Sequence, residues 1–242
     1  MAFALILGLL TVPSLWPGVG LAQVHSLAGD FLVDEQARAT LDIPRTANGD
    51  FQKEILADHL GVGPFGNPGQ VIQAETVPFN NIPGILGEAE AQAAPHGQVE
   101  GFTGRCYASS RPKDGTAALF LWGTNDMAQG IAVFADKHML DPRVQCAPSK
   151  GVHAGLATAA GLRLGMSREK VQVLLGPPLC SDTARDGYNT YARLPVTPEL
   201  IRRYKWRRDS QESVYFRART IVIWYKDDTV AGFSVEQHSL YD

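Results

Sequence analysis

The clearest helical pattern in the chain lies between Gly161 and Pro178, in the stretch GLRLGMSREKVQVLLGPP. Its apolar residues recur at the spacing of one helix face, and the buried stripe would consist of Val171, Leu174 and Leu175. Ser167 stands where an N-cap is expected, and Met166 before it can pack on the stripe as a hydrophobic staple. The pattern predicts a short helix over 168–175.

The sequence also marks the end of this helix. Gly176 can adopt the left-handed conformation that closes a helix, and Pro177 and Pro178 cannot continue one. A helix of about two turns is not stable in water by itself. We therefore expect it to dock on a sheet.

Short apolar runs bounded by glycine, asparagine or aspartate predict β-strands on both sides of this helix. Before it, the candidate strands are 71–77, 99–108, 116–122 and 130–134. After it, they are 189–194, 204–207, 213–225 and 230–235, with Asp227 and Asp228 at the turn of a terminal hairpin. The predicted fold class is α+β, with short helices packed on an antiparallel β-sheet.

The first half of the chain is less regular. Asp50 can cap a helix over 51–60, Gly61 would end it, and 80–97 is interpreted as a long connection. The stretch 61–66, GVGPFG, matches the glycine pattern of dinucleotide sites, but a helix precedes it and Pro64 removes an amide, so we interpret it as a loop. Because 53–61 echoes 169–176, the halves are either two related modules or unrelated.

The first residues are typical of a secretory signal. No Asp, Glu, Lys or Arg precedes Asp30, and Gly20-Leu21-Ala22 offers the small residues that signal peptidase requires. We expect 1–22 to be removed, leaving 23–150 as an N-terminal α+β region and 151–242 as a helix-plus-sheet module. The alternative is an uncleaved anchor or a buried strand. A signal implies a periplasmic or secreted protein.

Three cysteines, Cys106, Cys146 and Cys180, allow three single disulfide pairings. Export would place them where disulfides persist. We favour Cys106–Cys146, because both lie in one half of the chain and flank a probable strand pair. Cys180 would then be either a small buried apolar residue or a free thiol.

A basic stretch lies late in the chain. Residues 202–219 contain seven arginines and lysines against two acidic residues, in a chain of net charge −3. Aromatic residues are interleaved with them, and arginine beside exposed aromatics is typical of binding hot spots. The predicted binding residues are Arg203, Tyr204, Lys205, Trp206 and Arg207. An acidic protein surface would suit them, an anionic surface is an alternative, and nucleic acid is not expected after export. A solvated strand face would account for the same charges.

No motif predicts catalysis, a metal or a cofactor. Ser167 and Lys170 match S-x-x-K, but the companion motifs of that enzyme class are missing and capping already explains Ser167. The histidines contain no HExxH and no close pair, although His138 and His153 could meet in space. We expect no catalytic residue, metal ligand or cofactor.

The run from Leu162 to Val171, the closing Leu175-Gly176-Pro177-Pro178 and the strands that follow resemble the BamE (SmpA/OmlA) family, which shares its fold with β-lactamase inhibitor protein. The resemblance covers 161–242, about a third of the chain. It implies a short helix on an antiparallel sheet, in exported proteins that bind other proteins through a sheet face. The envelope members are lipoproteins, whereas no cysteine precedes Cys106 here.

The function predicted from these features is that of an exported, non-enzymatic envelope protein that binds or scaffolds another envelope protein through its C-terminal sheet. Two alternatives remain. One is an exported enzyme of unrecognised type with a histidine-lined cleft, and the other is a purely structural envelope domain.

Overall fold

The computed structural model describes residues 28, 31–35, 60–65, 69–96, 102–124, 127–195, 197–198, 202 and 214–240. The expected signal at 1–22, the candidate strand 204–207 and the expected helix over 51–60, apart from Leu60, lie outside the described residues. The proposal of two related modules depends on that helix, and it stays a prediction.

Eight strands form the main sheet, and most of them lie where the apolar runs predicted strands. They are β3 (Thr103–Ser109), β4 (Ala118–Gly123), β5 (Ala128–Phe134), β6 (Cys146–Ser149), β8 (Cys180–Ser181), β9 (Arg185–Pro195), β10 (Val214–Lys226) and β11 (Thr229–Leu240). Their order is β6-β3-β4-β5-β11-β10-β9-β8. Neighbours are antiparallel except β3 and β6, which are parallel.

A smaller sheet packs against the main one. It contains β1 (Gly61–Phe65), β2 (Gln70–Gln73) and β7 (Ala157–Thr158), in the order β2-β1-β7. Two α-helices have described bounds, α1 (Ile82–Leu86) and α2 (Arg168–Leu175), and three short 3₁₀ helices lie at Phe79–Asn81, Pro112–Asp114 and Lys137–Met139. The predicted α+β class therefore holds in its coarse form, but strands dominate the fold.

Two local predictions were wrong. The glycine-rich stretch predicted to be a loop forms β1 as far as Phe65, and Gly61 at its start pairs with Gln73. The stretch 80–97, predicted to be a connection, contains α1, whose Ile82 and Leu86 are buried. In both places glycine and proline led us to predict irregular backbone. The apolar residues between them are buried, and this burial stabilises a strand in the first place and a helix in the second.

The predicted capped helix is present as α2. The Ser167 hydroxyl accepts a hydrogen bond from the backbone N–H of Lys170, and Gly176 has a φ of 78°. Val171 and Leu175 are fully buried, whereas Val173, on the opposite face, is 83% exposed. The apolar stripe and both predicted ends of the helix are confirmed.

One face of the main sheet, here called the helix face, packs against α2, α1 and the small sheet. Its buried side chains are Tyr107, Leu119, Leu121, Ile131, Val133, Tyr188, Ile221, Ile223, Phe233 and Val235, and they join Val171 and Leu175 in one core. Burying a large aliphatic or aromatic side chain contributes about 1.5–3 kcal/mol. This core therefore supplies the stability that α2 lacks by itself.

The opposite face, here called the disulfide face, carries a second core of Cys106, Ala118, Phe120, Trp122, Ala132, Phe134, Val222 and Trp224. The segment Phe31–Leu32 lies over it, and the Phe31 and Phe120 ring centroids are 4.0 Å apart. Gly130 is necessary here, because a Cβ at that position would come within 2.1 Å of the Trp122 ring. The central strands are therefore buried on both faces.

The C-terminal hairpin is longer than its apolar runs indicated. Lys226 pairs with Thr229 across a two-residue turn, in which Asp227 and Asp228 have φ values of 51° and 56°. Aspartate tolerates this left-handed conformation, and two such residues twist a hairpin in the direction that its strands require. The predicted turn is confirmed.

The main sheet runs across residue 150, the expected boundary between the N-terminal region and the C-terminal module. β5 pairs with β11, with Val133 opposite Phe233. Neither described helix is long and apolar enough to cross a membrane.

The disulfide joins Cys106 to Cys146, the pair favoured from the sequence, across a separation of 40 residues. Closing a loop of this length should stabilise the fold by about 4 kcal/mol through the unfolded chain. We expect reduction to lower the melting temperature. A Cys106→Ala/Cys146→Ala variant should melt at the same temperature as the reduced native protein. Cys180→Ala is the matched control, and its melting temperature should fall on reduction as the native protein's does. Equal melting of the native protein with and without reductant would contradict this expectation.

Candidate functional site

The predicted binding residues Arg203, Tyr204, Lys205, Trp206 and Arg207 lie outside the described residues. The structure nevertheless fixes where their segment is attached. β9 ends at Pro195, which is paired with Val214 at the start of β10. The segment therefore connects the ends of these strands that are remote from the Asp227–Asp228 turn. Arg202 within it is described and exposed.

The nearby sheet faces are covered. On the helix face of β9, β10 and β11, Tyr188, Ile221 and Phe233 are completely buried beneath α2 and the small sheet. On the disulfide face, Val222 and Trp224 are 4% and 3% exposed. The described residues of these strands therefore offer little open sheet face to a partner, and binding would use connections or strand edges.

The helix that covers the sheet is attached through a buried ion pair. A guanidinium nitrogen of Arg168, the first residue of α2, lies 2.5 Å from the carboxylate of Asp186 on β9. The Asp186 side chain is completely buried, and that of Arg168 is 19% exposed. A buried carboxylate is stable in the ionised form only when its oxygens are paired, so both partners are needed.

The remaining lone pairs of Asp186 are also used. It accepts hydrogen bonds from the Ser181 hydroxyl at 2.7 Å and from the Tyr225 hydroxyl at 2.9 Å. Burial is the main cause that raises the pKa of Tyr225, and the adjacent Asp186 raises it further, so Tyr225 remains a neutral donor. The Arg168 guanidinium also lies over the Tyr225 ring, 4.7 Å from its centroid. We call Arg168, Ser181, Asp186 and Tyr225 the Asp186 network.

Backbone hydrogen bonds hold the amino end of α2 to the terminal hairpin. Gly165 N–H donates to Val230, Val230 N–H donates to Met166, and Arg168 N–H donates to Asp228. At the other end, the Tyr188 hydroxyl donates to the carbonyl of Gly176 at 3.3 Å. The predicted docking of this helix on the C-terminal strands is confirmed.

A cavity of about 520 Å³ lies on the disulfide face near the hairpin turn. Its walls are the segment Leu32–Asp34, the turn His138–Met139 and the β8–β9 turn at 182–185, with Trp224 among the lining residues. The segment is held in place because Val33 N–H donates to Met139 and Asp141 N–H donates to Phe31. The cavity is built by three parts of the chain that are distant in sequence.

The cavity combines apolar and charged groups. Arg185 is 7% exposed and forms an ion pair with Asp182 at 2.7 Å. Burial opposes ionisation of Asp182, but the hydrogen bonds from Arg185 and from the Ala184 N–H outweigh it and lower the pKa of this carboxyl. Exposed Asp34 and His138 lie at the rim. The arrangement suits a small ligand that has both an apolar and a polar part.

The three histidines whose side chains are described, His96, His138 and His153, do not assemble into a cleft. His138 lines the cavity, whereas His153 lies 3.3 Å from the carbonyl oxygen of Pro64 in the small sheet. His96 lies 2.6 Å from Asp141, whose pKa is lowered mainly by hydrogen bonds from Arg143. Among the described residues, no group of three or more His, Cys, Asp or Glu is placed to hold a metal ion.

Two potential nucleophiles are not activated: Ser167 has a structural role, and Cys180 lies in an environment that makes it unreactive. The Ser167 hydroxyl caps α2, as its place in the sequence indicated. Burial raises the pKa of the Cys180 thiol to about 11, so little reactive thiolate is present near neutral pH. Cys180 does not line the cavity.

The Asp186 network was not found from the sequence. Arg168 and Asp186 are separated by 18 residues, and each is surrounded by other charged residues. A weak signal was present: Asp186 stands directly before Gly187-Tyr188, at the start of an apolar alternation, where a carboxylate would be buried and require a partner.

Comparisons with known proteins add little to this description. No family model matches the chain. No curated protein matches it either. Among solved structures, it is similar to a Streptococcus mutans protein described as "putative beta-lactamase inhibitor protein", at 10% identity and a TM-score of 0.21. The match covers 81% of this chain and 98% of that one. So low a TM-score carries no argument, and the resemblance to the BamE family stays a prediction.

The Asp186 network should control the stability of the C-terminal half. Asp186→Asn keeps the shape but leaves Arg168 without its counter-ion, and we expect a loss of about 3 kcal/mol or more in the free energy of unfolding by denaturant. Glu169→Gln, at an exposed position of the same helix, is the matched control and should change it by less than about 0.5 kcal/mol. Similar values for the two variants would show that the ion pair does not hold the helix.

Proposed function

We propose that this chain is an exported protein that acts by binding another envelope protein, and that its contact segment contains Arg203, Tyr204, Lys205, Trp206 and Arg207. The observation that carries the proposal is that the described apolar side chains on both faces of β9–β11 are buried, beside a connection rich in arginine and aromatic residues. The large apolar side chains described on β9–β11 are buried within the fold, so we expect a partner to bind segments at the ends and edges of the sheet.

The composition of this connection favours a protein partner of opposite charge. Between the paired Pro195 and Val214, the sequence has five arginines and lysines and three acidic residues, together with Tyr204 and Trp206. Arginine, tyrosine and tryptophan supply much of the binding energy at protein interfaces, because each combines a large contact area with polar groups. An acidic surface would also be attracted over a distance.

Export is supported by two separate features. The apolar residues before Asp30 and the small residues at 20–22 are typical of a cleaved signal. The Cys106–Cys146 disulfide is typical of proteins that fold in an oxidising compartment. The proposal places the mature protein in the periplasm or outside the cell.

The proposal is tested by capture from the exported fraction with the full chain as bait. Trp206→Ala/Arg207→Ala should reduce recovery of a specific partner at least about tenfold, since hot-spot truncations remove more than about 2 kcal/mol. The matched control, Arg163→Ala/Val173→Ala, removes an exposed arginine and an exposed apolar side chain elsewhere. It should capture as the native chain does.

Both variants should keep the native melting temperature. Undiminished capture by Trp206→Ala/Arg207→Ala would exclude this segment as the contact. A large fall in its melting temperature would instead assign these residues to the core.

A second candidate function, binding of a small molecule, is favoured by the cavity at Trp224. Its volume of about 520 Å³ is within the range of ligand pockets. Arg185 and Asp182, two of the polar residues that line the cavity, already neutralise each other, and the Tyr225 hydroxyl is engaged by Asp186. Binding is therefore the simpler interpretation.

Ligand binding in the cavity is tested with indole-sized fragments that carry a carboxylate or an ammonium group. A fragment present at about ten times its dissociation constant should raise the melting temperature by roughly 3–6 °C. Ala184→Trp places a large ring at the exposed turn that lines the cavity, and it should abolish the shift. Identical shifts in the variant would mean that the fragments bind elsewhere.

A further inference from the structure

The outer edge of β9 is longer than the strand that covers it. β8 has only two residues, and it pairs Cys180 with Gly187 and Ser181 with Asp186. β9 continues to Pro195, and β8 is the last strand on this side of the sheet. Along the described chain, no strand is paired with this edge beyond Gly187.

The hydrogen-bond pattern determines which backbone groups point outwards. Leu179 N–H donates to Gly187, and Asp182 N–H donates to Arg185, so these odd-numbered residues of β9 direct their carbonyl groups away from β10. The pairing of β9 with β10 has no register shift from Arg185 to Pro195. In an antiparallel pair the orientation alternates strictly. Asn189, Tyr191 and Arg193 therefore present their N–H and C=O groups to the outer edge.

The two edges of the main sheet differ in how they are protected. β6, at the far edge, has four residues, one of them Pro148, which has no N–H to offer a neighbouring strand. β9 has no proline before Pro195, which ends it. Exposed edges of this length are usually protected, because they pair readily with other extended chains. The part of the β9 edge beyond Gly187, with which no described strand pairs, therefore lacks the protection that β6 has.

We infer that the outer edge of β9, at Asn189–Arg193, binds an extended acidic segment of a partner protein by strand addition. The inference deepens the proposed function and rests on it, because it specifies how the partner is held. The partner's backbone would exchange hydrogen bonds with the outward groups of Asn189, Tyr191 and Arg193. Backbone pairing of this kind supplies affinity, and the alternating side chains supply specificity.

Charge favours an acidic partner over a second copy of this chain. Arg193 belongs to the edge strand, and exposed Arg202 lies in the connection that follows it, which has five arginines and lysines against three acidic residues. Two copies joined along β9 would bring these basic groups together, which opposes pairing. A strand that carries glutamate or aspartate would be attracted to the same groups.

The test uses two displayed libraries of extended peptides of about eight residues, the length of a typical strand. In one library glutamate alternates with a randomised residue, and in the other lysine takes its place. We expect binders to the full chain from the glutamate library and none from the lysine library. Their affinity should fall as salt is raised, because the attraction is partly between exposed charges.

Amide hydrogen exchange then locates the bound peptide. In the free chain the amides of Tyr188, Thr190 and Ala192, which bond to β10, should exchange slowly, and those of Asn189, Tyr191 and Arg193 should exchange fast. A selected peptide should protect the amides of Asn189, Tyr191 and Arg193.

Three outcomes would contradict the inference. Protection of these three amides in the free monomer would mean that another part of the chain covers the edge. Protection that appears only in a concentration-dependent dimer would assign the edge to a second copy. Either result overturns the inference, as does the absence of binders.

Two variants at one position separate the backbone from the side chain. Tyr191→Pro removes an outward N–H and leaves the bonds to β10 intact, so it should weaken peptide binding by about tenfold. Tyr191→Ala keeps the N–H and should weaken it by less than about threefold. Equal effects of the two changes would overturn strand addition. If Tyr191→Pro does not fold, the exchange pattern of the native chain decides.

The same variants distinguish this inference from the proposed function. If the native partner is still captured by Tyr191→Pro but lost from Trp206→Ala/Arg207→Ala, the proposed function stands and strand addition falls. If both variants lose the partner and the peptide competes with the partner for the native chain, the proposed function and strand addition both stand. If the chain captures no partner while the peptide binds as described, the edge binds acidic peptides and the proposed function fails.

Discussion

The contact between Arg168 and Asp186 joins the two parts of the C-terminal half that could not be stable separately. α2 has eight residues, fewer than a helix needs in water, and β8 has only two. Asp186 holds both, because it accepts bonds from the first residue of the helix, from Ser181 on β8 and from Tyr225 on β10. Loss of either partner would be costly, because the remaining charge would be buried without a counter-ion.

Fixed in this way, the helix packs over the described apolar residues on the helix face of the sheet, among them Tyr188 and Ile221. The small sheet and α1 cover the remainder of that face, and the segment Phe31–Leu32 covers part of the other. The disulfide joins β6 to β3 at the far side of the sheet. Stability is thus concentrated at the centre and at one edge, whereas the other edge, β9, runs beyond its two-residue neighbour.

This distribution explains why the proposed contacts lie at the periphery. A protein that binds through an open sheet face must keep that face free of its own core, and here the described residues of β9, β10 and β11 are used on both sides. The features that remain are the basic connection between Pro195 and Val214, the edge of β9 and the cavity at Trp224. The first two adjoin each other on the same strand, so one acidic partner could contact both. The cavity lies near the opposite end of the strands and would serve a different ligand.

The sequence by itself determined the elements whose cause is local. The Ser167 cap, the Val171–Leu175 stripe, the closing Gly176 and the Asp227–Asp228 turn could be predicted, because each depends on residues a few positions apart. Only the tertiary structure decided that Gly61–Phe65 is a strand and Ile82–Leu86 a helix, since partners distant in sequence bury them. The same holds for Asp186, for the cavity and for the edge of β9. Strand pairing, burial and the point at which a neighbouring strand ends all depend on contacts between segments that are distant in sequence. No local pattern of apolar and polar residues encodes such contacts.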